Sequence, residues 1–159
     1  MNIFKHAQKA YTLIEMLMVV AIIGVLASSV LIGLGSARAK ARDARRITDL
    51  KSTQTALELY YSKYGIYPSR VPGTNETWEW TDLTDILTNS ESGLKISKVP
   101  KDPVNNNEYK YEYATDGQNY VLGAKLETKD QSLDDDLDGM QLGLDCGEEV
   151  GDIIYCISL

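Results

Sequence analysis

The chain has 159 residues, 43% of them hydrophobic, and a formal net charge of −7, which suits one domain of ordinary size plus an anchor and leaves no room for several domains. Its charge is uneven: residues 38–46 (R-A-K-A-R-D-A-R-R) hold five basic residues and one acid, whereas residues 47–159 hold 9 Lys and Arg against 21 Asp and Glu, net −12. So acidic a body is poorly suited to grip nucleic acid or anionic lipid, and with His6 the sole histidine neither histidine-based catalysis nor a zinc site can be argued.

Residues 1–10 (M-N-I-F-K-H-A-Q-K-A) carry Lys5 and Lys9, no acid, and end on the small residue Ala10. From Tyr11 to Ser36 the only charge is Glu15, and a mostly apolar run of ~20 residues or more is long enough to cross a bilayer as a helix. A carboxylate inside such a run costs ~2.5–3.5 kcal/mol on insertion scales, so it marks function and calls for a named partner. The plainer alternative is a Glu near the helix end, reaching back to the headgroups. An ordinary secretory signal puts its small-residue cleavage site after the apolar region. Here the small residue stands before it, so a cut would leave the apolar helix on the mature chain.

This leader, followed by Ala10-Tyr11-Thr12-Leu13-Ile14-Glu15, resembles the prepilin signal of type IV pilins and type II secretion pseudopilins. The resemblance implies that a prepilin peptidase cuts between Ala10 and Tyr11 and methylates the new amine of Tyr11. It also implies that Glu15 neutralises the N-terminal amine of a neighbouring subunit during filament assembly. Two buried opposite charges rescue each other where either alone would be expensive. The family usually has Gly before the cut, where this chain has Ala10.

Beyond Ser36 the pattern turns amphipathic: Ile47, Leu50, Gln54, Leu57, Tyr61 and Tyr64 are spaced 3-4-3-4-3, a helical face broken only by Gln54. Gly65 supplies a C-cap and Pro68 blocks resumption. The expectation is one helix of ~80 Å from Tyr11 to Tyr64, with 11–35 as transmembrane and filament-core segment and 36–64 as an amphipathic continuation. The basic residues from Arg38 to Arg46 are expected at the headgroups or against acids of adjacent subunits. By the positive-inside rule they outweigh Lys5 and Lys9 and favour a cytoplasmic C-terminus. The leader, the acidic body and the cysteine pair favour the opposite orientation, which is the one expected. Two later segments, Ala56 to Pro68 (A-L-E-L-Y-Y-S-K-Y-G-I-Y-P) and Val99-Pro100-Lys101-Asp102-Pro103 followed by Tyr109-Lys110-Tyr111, resemble the helix exit and sheet entry of major pseudopilins.

Residues 65–106 are expected to form a connecting loop with one short helix, Asp82 to Asn89, capped by Thr81. Trp78 and Trp80 could form an exposed binding pair; covering the long helix is the expected role. Within 107–159, Glu108 to Ala114 alternates polar residues with Tyr109, Tyr111 and Tyr113, the period of a half-buried strand. Asp116-Gly117 has hairpin chemistry. Asn119 to Leu126 returns with Tyr120, Leu122, Ala124 and Leu126 on one face, and Asp152 to Leu159 adds a last strand. The fold class is α+β: a long N-terminal helix packed on a small antiparallel sheet, pilin-like.

Asp134, Asp136, Asp138, Gly139 and Asp145 fall at positions 1, 3, 5, 6 and 12 of a D-x-D-x-D-G-x5-D loop. Calcium takes six to eight oxygens, and alternate carboxylates of a tight loop can supply them. Position 12 is Asp145 where Glu is usual, no flanking EF-hand helices are readable, and a solvated charge run is the bland account. Resemblance to major pseudopilins implies a calcium site in the C-terminal loop, with the four ligands assigned from spacing alone. Cys146 and Cys156 are the only cysteines; an even count in an exported domain favours one disulfide, with two free thiols as the alternative. A bridged C-terminal loop resembles type IV pilins.

No glycine-rich phosphate loop or nucleophile–base pair is readable, so no enzymatic activity is expected. The sequence is read as a structural subunit of a type IV pilus-like or type II secretion pseudopilus filament. Its expected partners are a prepilin peptidase, identical or related subunits, the membrane and an inner-membrane assembly platform. Before assembly it would cross the inner membrane once, N-terminus cytoplasmic and C-terminal domain extracytoplasmic, and then enter a periplasmic or surface filament. Two rivals stand beside it: a membrane-anchored binding or adhesion module, and a DNA-uptake (competence) pilin using Arg38 to Arg46 as a phosphate-binding stripe.

Overall fold

The computed structural model describes residues 11–71, 73–129, 133–134, 136–149 and 152–158, excepting the side chains of residues 29–33, 76, 148, 149 and 152. The chain divides into two compact units, Met1–Arg38 and Ala39–Leu159. Helix α1 runs Leu13–Tyr64, its residues up to Arg38 falling in the first unit.

In the first unit Met16, Leu17, Met18, Val19 and Val20 are each at least half exposed. Five consecutive helical residues point to every side, so this stretch has no polar face. A helix apolar all round belongs in a bilayer or a helix bundle. Among the described residues no helix is long and apolar enough to cross a membrane. The uncharged run read from the sequence extends through residues 29–33, whose side chains lie outside the described ones.

The second unit is built on a five-stranded antiparallel sheet. Its strands are β1 (Glu76–Trp78), β2 (Tyr111–Thr115), β3 (Tyr120–Leu126), β6 (Glu148–Glu149) and β7 (Asp152–Ser158), in the spatial order β1-β2-β3-β7-β6. The β2–β3 hairpin turns at Asp116-Gly117, where Gly117 takes φ +88° and the Asp116 carboxylate accepts from the Gln118 and Asn119 amides, as the sequence predicts. Strand β1 was not predicted: three residues are too few to show a period. A two-stranded hairpin of β4 (Met140–Gln141) and β5 (Leu144–Asp145) completes the strands.

Alternation along β3 sends Tyr120, Leu122, Ala124 and Leu126 into one core with Leu50 and Leu57 of α1 and Tyr111 and Tyr113 of β2. Gln54, the polar break in the helical stripe, donates its side-chain amide to the Ser158 carbonyl at 3.1 Å, and Glu58 accepts from the Tyr67 and Tyr120 hydroxyls. Gly65, at φ +74°, ends α1 by donating to the Tyr61 carbonyl at 2.7 Å. The short helix is α2 (Trp80–Thr88), which begins two residues earlier than predicted. Its N-cap is Glu79 with no side-chain cap, so Thr81 lies inside the helix rather than capping it. Trp78 and Trp80 are buried, packing edge-on against Tyr113 and Tyr111, and the Trp80 indole N–H bonds the Pro100 carbonyl at 2.7 Å. They are core residues, as expected.

The basic stretch departs from expectation. Arg46 is wholly buried. Its Nε and Nη2 reach the two Asp102 oxygens at 2.6 and 3.3 Å, while Nη1 donates to Asp43 at 2.7 Å and Glu127 at 2.8 Å. The Tyr109 ring lies 4.8 Å from its guanidinium carbon. Arg42 grips Glu127 through both Nε and Nη2. Asp43 also accepts from the Glu127 and Thr128 amides and the Thr128 hydroxyl, and Asp102 from the Val104 and Asn105 amides. Arg42 and Arg46 therefore pair with acids of their own chain, not with headgroups or adjacent subunits. The reason lies 50 and more residues downstream, out of reach of local pattern. A continuous phosphate-binding stripe from Arg38 to Arg46 is lost with them.

Hydrogen bonding from Arg42, aided by Arg46, draws the Glu127 carboxyl down to about 2. Burial pushes Asp102 up, but hydrogen bonds from Arg46 and the Val104 and Asn105 amides outweigh it and leave its pKa lowered. Replacing Arg46 with Leu strands Asp43 and Asp102 as buried charges, and the protein should lose ~3–5 kcal/mol of stability. The urea midpoint of detergent-solubilised protein, read by Trp78 and Trp80 fluorescence, measures the loss. Because Glu127 binds its proton more weakly folded than unfolded, its contribution is complete above its ordinary pKa of 4.5 and fades as pH falls toward about 2. In Arg46→Leu that acid-side decline should be shallower.

Candidate functional site

Of the residues predicted for processing, Ala10 lies outside the described residues, and Tyr11 is 76% exposed ahead of α1. Glu15 sits in the first helical turn, and its surroundings show a role the sequence reading missed. Its Oε2 accepts the Thr12 amide and the Thr12 hydroxyl, each at 2.8 Å, and the Thr12 hydroxyl accepts the Glu15 amide at 3.3 Å. This is a capping box: N-cap threonine and third-position glutamate satisfy each other's orphan backbone donors. The T-x-x-E signature was present in the sequence, overshadowed by the apolar run around it. Glu15 thus fixes the start of the helix, favourably for a carboxylate at the positive end of the dipole. Its Oε1 accepts no hydrogen bond among the described residues, leaving one oxygen open to a cation from outside the chain.

The C-terminal loop covers the outer face of the sheet. Leu144, Cys146 and Cys156 form a second apolar cluster with Ala114 and Val121, and Leu137, Leu142 and Ile154 pack on it. Leu144 lies directly over Gly123: a Cβ there would come within 2.7 Å of Leu144 Cδ2, so any larger residue would have to displace the Leu144 side chain. The β4–β5 turn places Leu142 at φ +50° and Gly143 at φ +89°, the paired positive angles of a tight hairpin. Cys146 and Cys156 are bonded and buried, with Cα atoms 5.7 Å apart, as expected for one disulfide.

The four carboxylates expected at a metal are not brought together. Asp136 accepts the Cys156 amide at 3.0 Å, and Asp145, exposed on β5, accepts the Gly147 amide at 3.1 Å. Asp134 and Asp138 are exposed. Among the described residues no three acidic, histidine or cysteine side chains form a group able to hold a metal ion. The arrangement instead uses Asp136 to tie the acidic turn to β7 beside the disulfide. The residues as placed do not fit a shared calcium ion without rearrangement of the turn.

Residues 5–31 match the prokaryotic N-terminal methylation motif, and residues 34–138 match the family of type II secretion system (T2SS) protein G. The chain belongs to that family. It is similar to the type II secretion system core protein G of Vibrio cholerae serotype O1, at 29% identity over 149 residues, covering 91% of this chain and 90% of that one. The protein of the same name from Escherichia coli K12 is 31% identical over 99 residues, covering 62% and 68%, and that from Aeromonas hydrophila 28% over 102, covering 64% and 71%. No solved structure matches the chain. The pseudopilin resemblance read from Ala10 to Glu15 and from Ala56 to Pro68 is correct. The protein G match ends at residue 138, so the disulfide and the β4–β5 hairpin lie beyond it.

Changing both Cys146 and Cys156 to Ala should cost roughly 2–3 kcal/mol, the chain-entropy value for a loop this short. Amide hydrogen exchange should rise most in β4 and β5, while the Arg46 cluster stays protected.

Proposed function

We propose that this chain is a structural subunit of a type II secretion pseudopilus. It is cut between Ala10 and Tyr11, methylated at Tyr11, held in the inner membrane by its apolar helix, and then drawn into a periplasmic filament with copies of itself or related subunits. One observation carries the reading: the methylation motif runs directly into a helix whose apolar side chains face outward on all sides, ahead of a body that matches protein G. Such a helix needs lipid before assembly and neighbouring helices after it, which a filament core supplies. The chemistry of processing belongs to the prepilin peptidase, and the subunit itself needs no catalytic group. An adhesion module on an uncleaved anchor has no use for the motif.

Glu15 then has two tasks, capping its own helix through Oε2 and meeting the amine of a neighbour. Calcium enters only as a further proposal, supported by the spacing of Asp134, Asp136, Asp138 and Asp145. It requires the turn to rearrange, since Asp136 and Asp145 are engaged by backbone amides. Calcium-dependent protection of the amides around residues 136–145, absent with magnesium, would support it, and equal effects of both ions would remove it.

The two substitutions Glu15→Gln and Glu15→Leu separate the tasks of that residue. Gln keeps an oxygen for the cap and loses the charge; Leu loses both. Both should leave a membrane-inserted monomer and lower filament yield to a similar degree, measured by shearing and quantifying filaments from cells with an intact assembly machine. Normal yield from Glu15→Gln would reduce Glu15 to a helix cap.

A further inference from the structure

Nine lysines and arginines lie beyond residue 46, in a body with 21 acids. Lys63 donates to the Ser92 carbonyl, and Arg70, Lys110 and Lys125 pair with Asp82, Glu112 and Glu108. Lys129 also has an interaction within the chain. The other four, Lys51, Lys95, Lys98 and Lys101, are exposed and make no ion pair with any described acid. In so acidic a body that is a selective arrangement, and these four are not scattered.

They gather where the extended segment 94–102 runs beside α1. Lys95 and Lys98 line a groove of about 350 Å³ whose opposite wall is Ser52, Thr55 and the half-exposed Leu59, and no acidic residue lines it. Lys51 adjoins the helical wall, and Lys101 precedes Asp102, which is held on α1 by Arg46. From Lys95 to Val99 no backbone N–H or C=O makes a hydrogen bond with a described residue. Folded chains pair such groups or leave them to water or a partner. The groove therefore offers unpaired cations beside unpaired backbone, on a support locked to α1.

We infer that this groove is a contact site for the acidic C-terminal loop of a second copy of this chain, with Asp134 and Asp138 set against Lys95 and Lys98. The inference rests on the filament reading. Bodies whose residues 39–159 hold 13 Lys and Arg against 22 Asp and Glu, net −9, repel when packed side by side, so a contact between copies must set cations against acids. Lys95 and Lys98 line the groove and have no acidic partner among the described residues. Asp134 and Asp138 are exposed carboxylates that no described cation of their own chain pairs with. Groove and loop are different surfaces, so the contact is heterologous and, where the rotation does not close, propagates into a helical filament.

The test is a charge exchange in the full-length chain, expressed with its assembly machine. Lys95→Glu with Lys98→Glu should lower filament yield ~10-fold or more, because like charges facing each other at an interface cost several kcal/mol. Asp134→Lys with Asp138→Lys should do the same. All four changes in one chain should restore yield to within about threefold of wild type, the opposed charges having been exchanged. Monomer level and an oxidised Cys146–Cys156 bridge show that each variant folds. If the fourfold variant assembles no better than either pair, the contact is wrong. It is equally wrong if Lys95→Glu with Lys98→Glu assembles normally but loses sedimentation with phosphatidylglycerol vesicles, which assigns the cations to lipid. Failure of the wild-type chain to form filaments would remove the filament reading itself, and this contact with it.

Discussion

The body depends on one buried guanidinium. Arg46 draws three carboxylates to itself, Asp43 one turn away on α1, Asp102 in the loop before the sheet, and Glu127 just past β3. A buried charge is tolerable only when its partners and their remaining hydrogen-bond needs are all met. Here Asp43 and Asp102 spend their other capacity on the amides of residues 127, 128, 104 and 105. The cluster therefore fixes backbone as well as side chains. It ties the segment around Asp102 and the end of β3 to α1, and apolar packing from Leu50 to Tyr120 fills what lies between. An apolar replacement of the whole cluster could be as stable. Loss of Arg46 alone could not, because Asp43 and Asp102 would remain buried without a cation.

With the inner face fixed this way, the outer face follows a different rule. Gly123 leaves a gap in β3 that Leu144 occupies, and the Cys146–Cys156 bond holds the hairpin that delivers Leu144. The inner face is secured by charge and aromatic packing against α1, the outer by a covalent staple over a small apolar cluster. The acidic turn sits beside this staple, tied to β7 through Asp136. Asp134 and Asp138 of that turn are exposed.

Much of this was legible in the sequence. The 3-4-3-4-3 stripe, Gly65 and the Asp116-Gly117 turn gave the helix, its end and the hairpin, because each is decided by residues close in the chain. The inward face of β3 was readable for the same reason. What escaped had distant or shared causes. Arg42 and Arg46 looked like a surface charge run because their partners, Asp102 and Glu127, are far along the chain. The D-x-D-x-D-G spacing says nothing of the amides that Asp136 and Asp145 accept from β7 and the β5–β6 turn, since those amides are placed by the fold. Thr12 was legible and passed over, since a capping box and a membrane carboxylate use the same Glu15.

The two units answer to different environments. Ala39–Leu159 is an acidic body whose buried charges Asp43, Arg46 and Asp102 are paired with one another, and the helix before it leaves apolar surface bare on every side. The proposed function uses that asymmetry: a helix completed by lipid and then by other helices, with Tyr11 as the mature N-terminus and its amine set against Glu15 of a neighbour. The most direct measurement is the mass of the mature N-terminal peptide from protein extracted from membranes of cells containing the peptidase. The account predicts a chain beginning at Tyr11 and carrying one added methyl group. A chain that still begins at Met1, with residues 1–10 attached and Tyr11 unmodified, would contradict it.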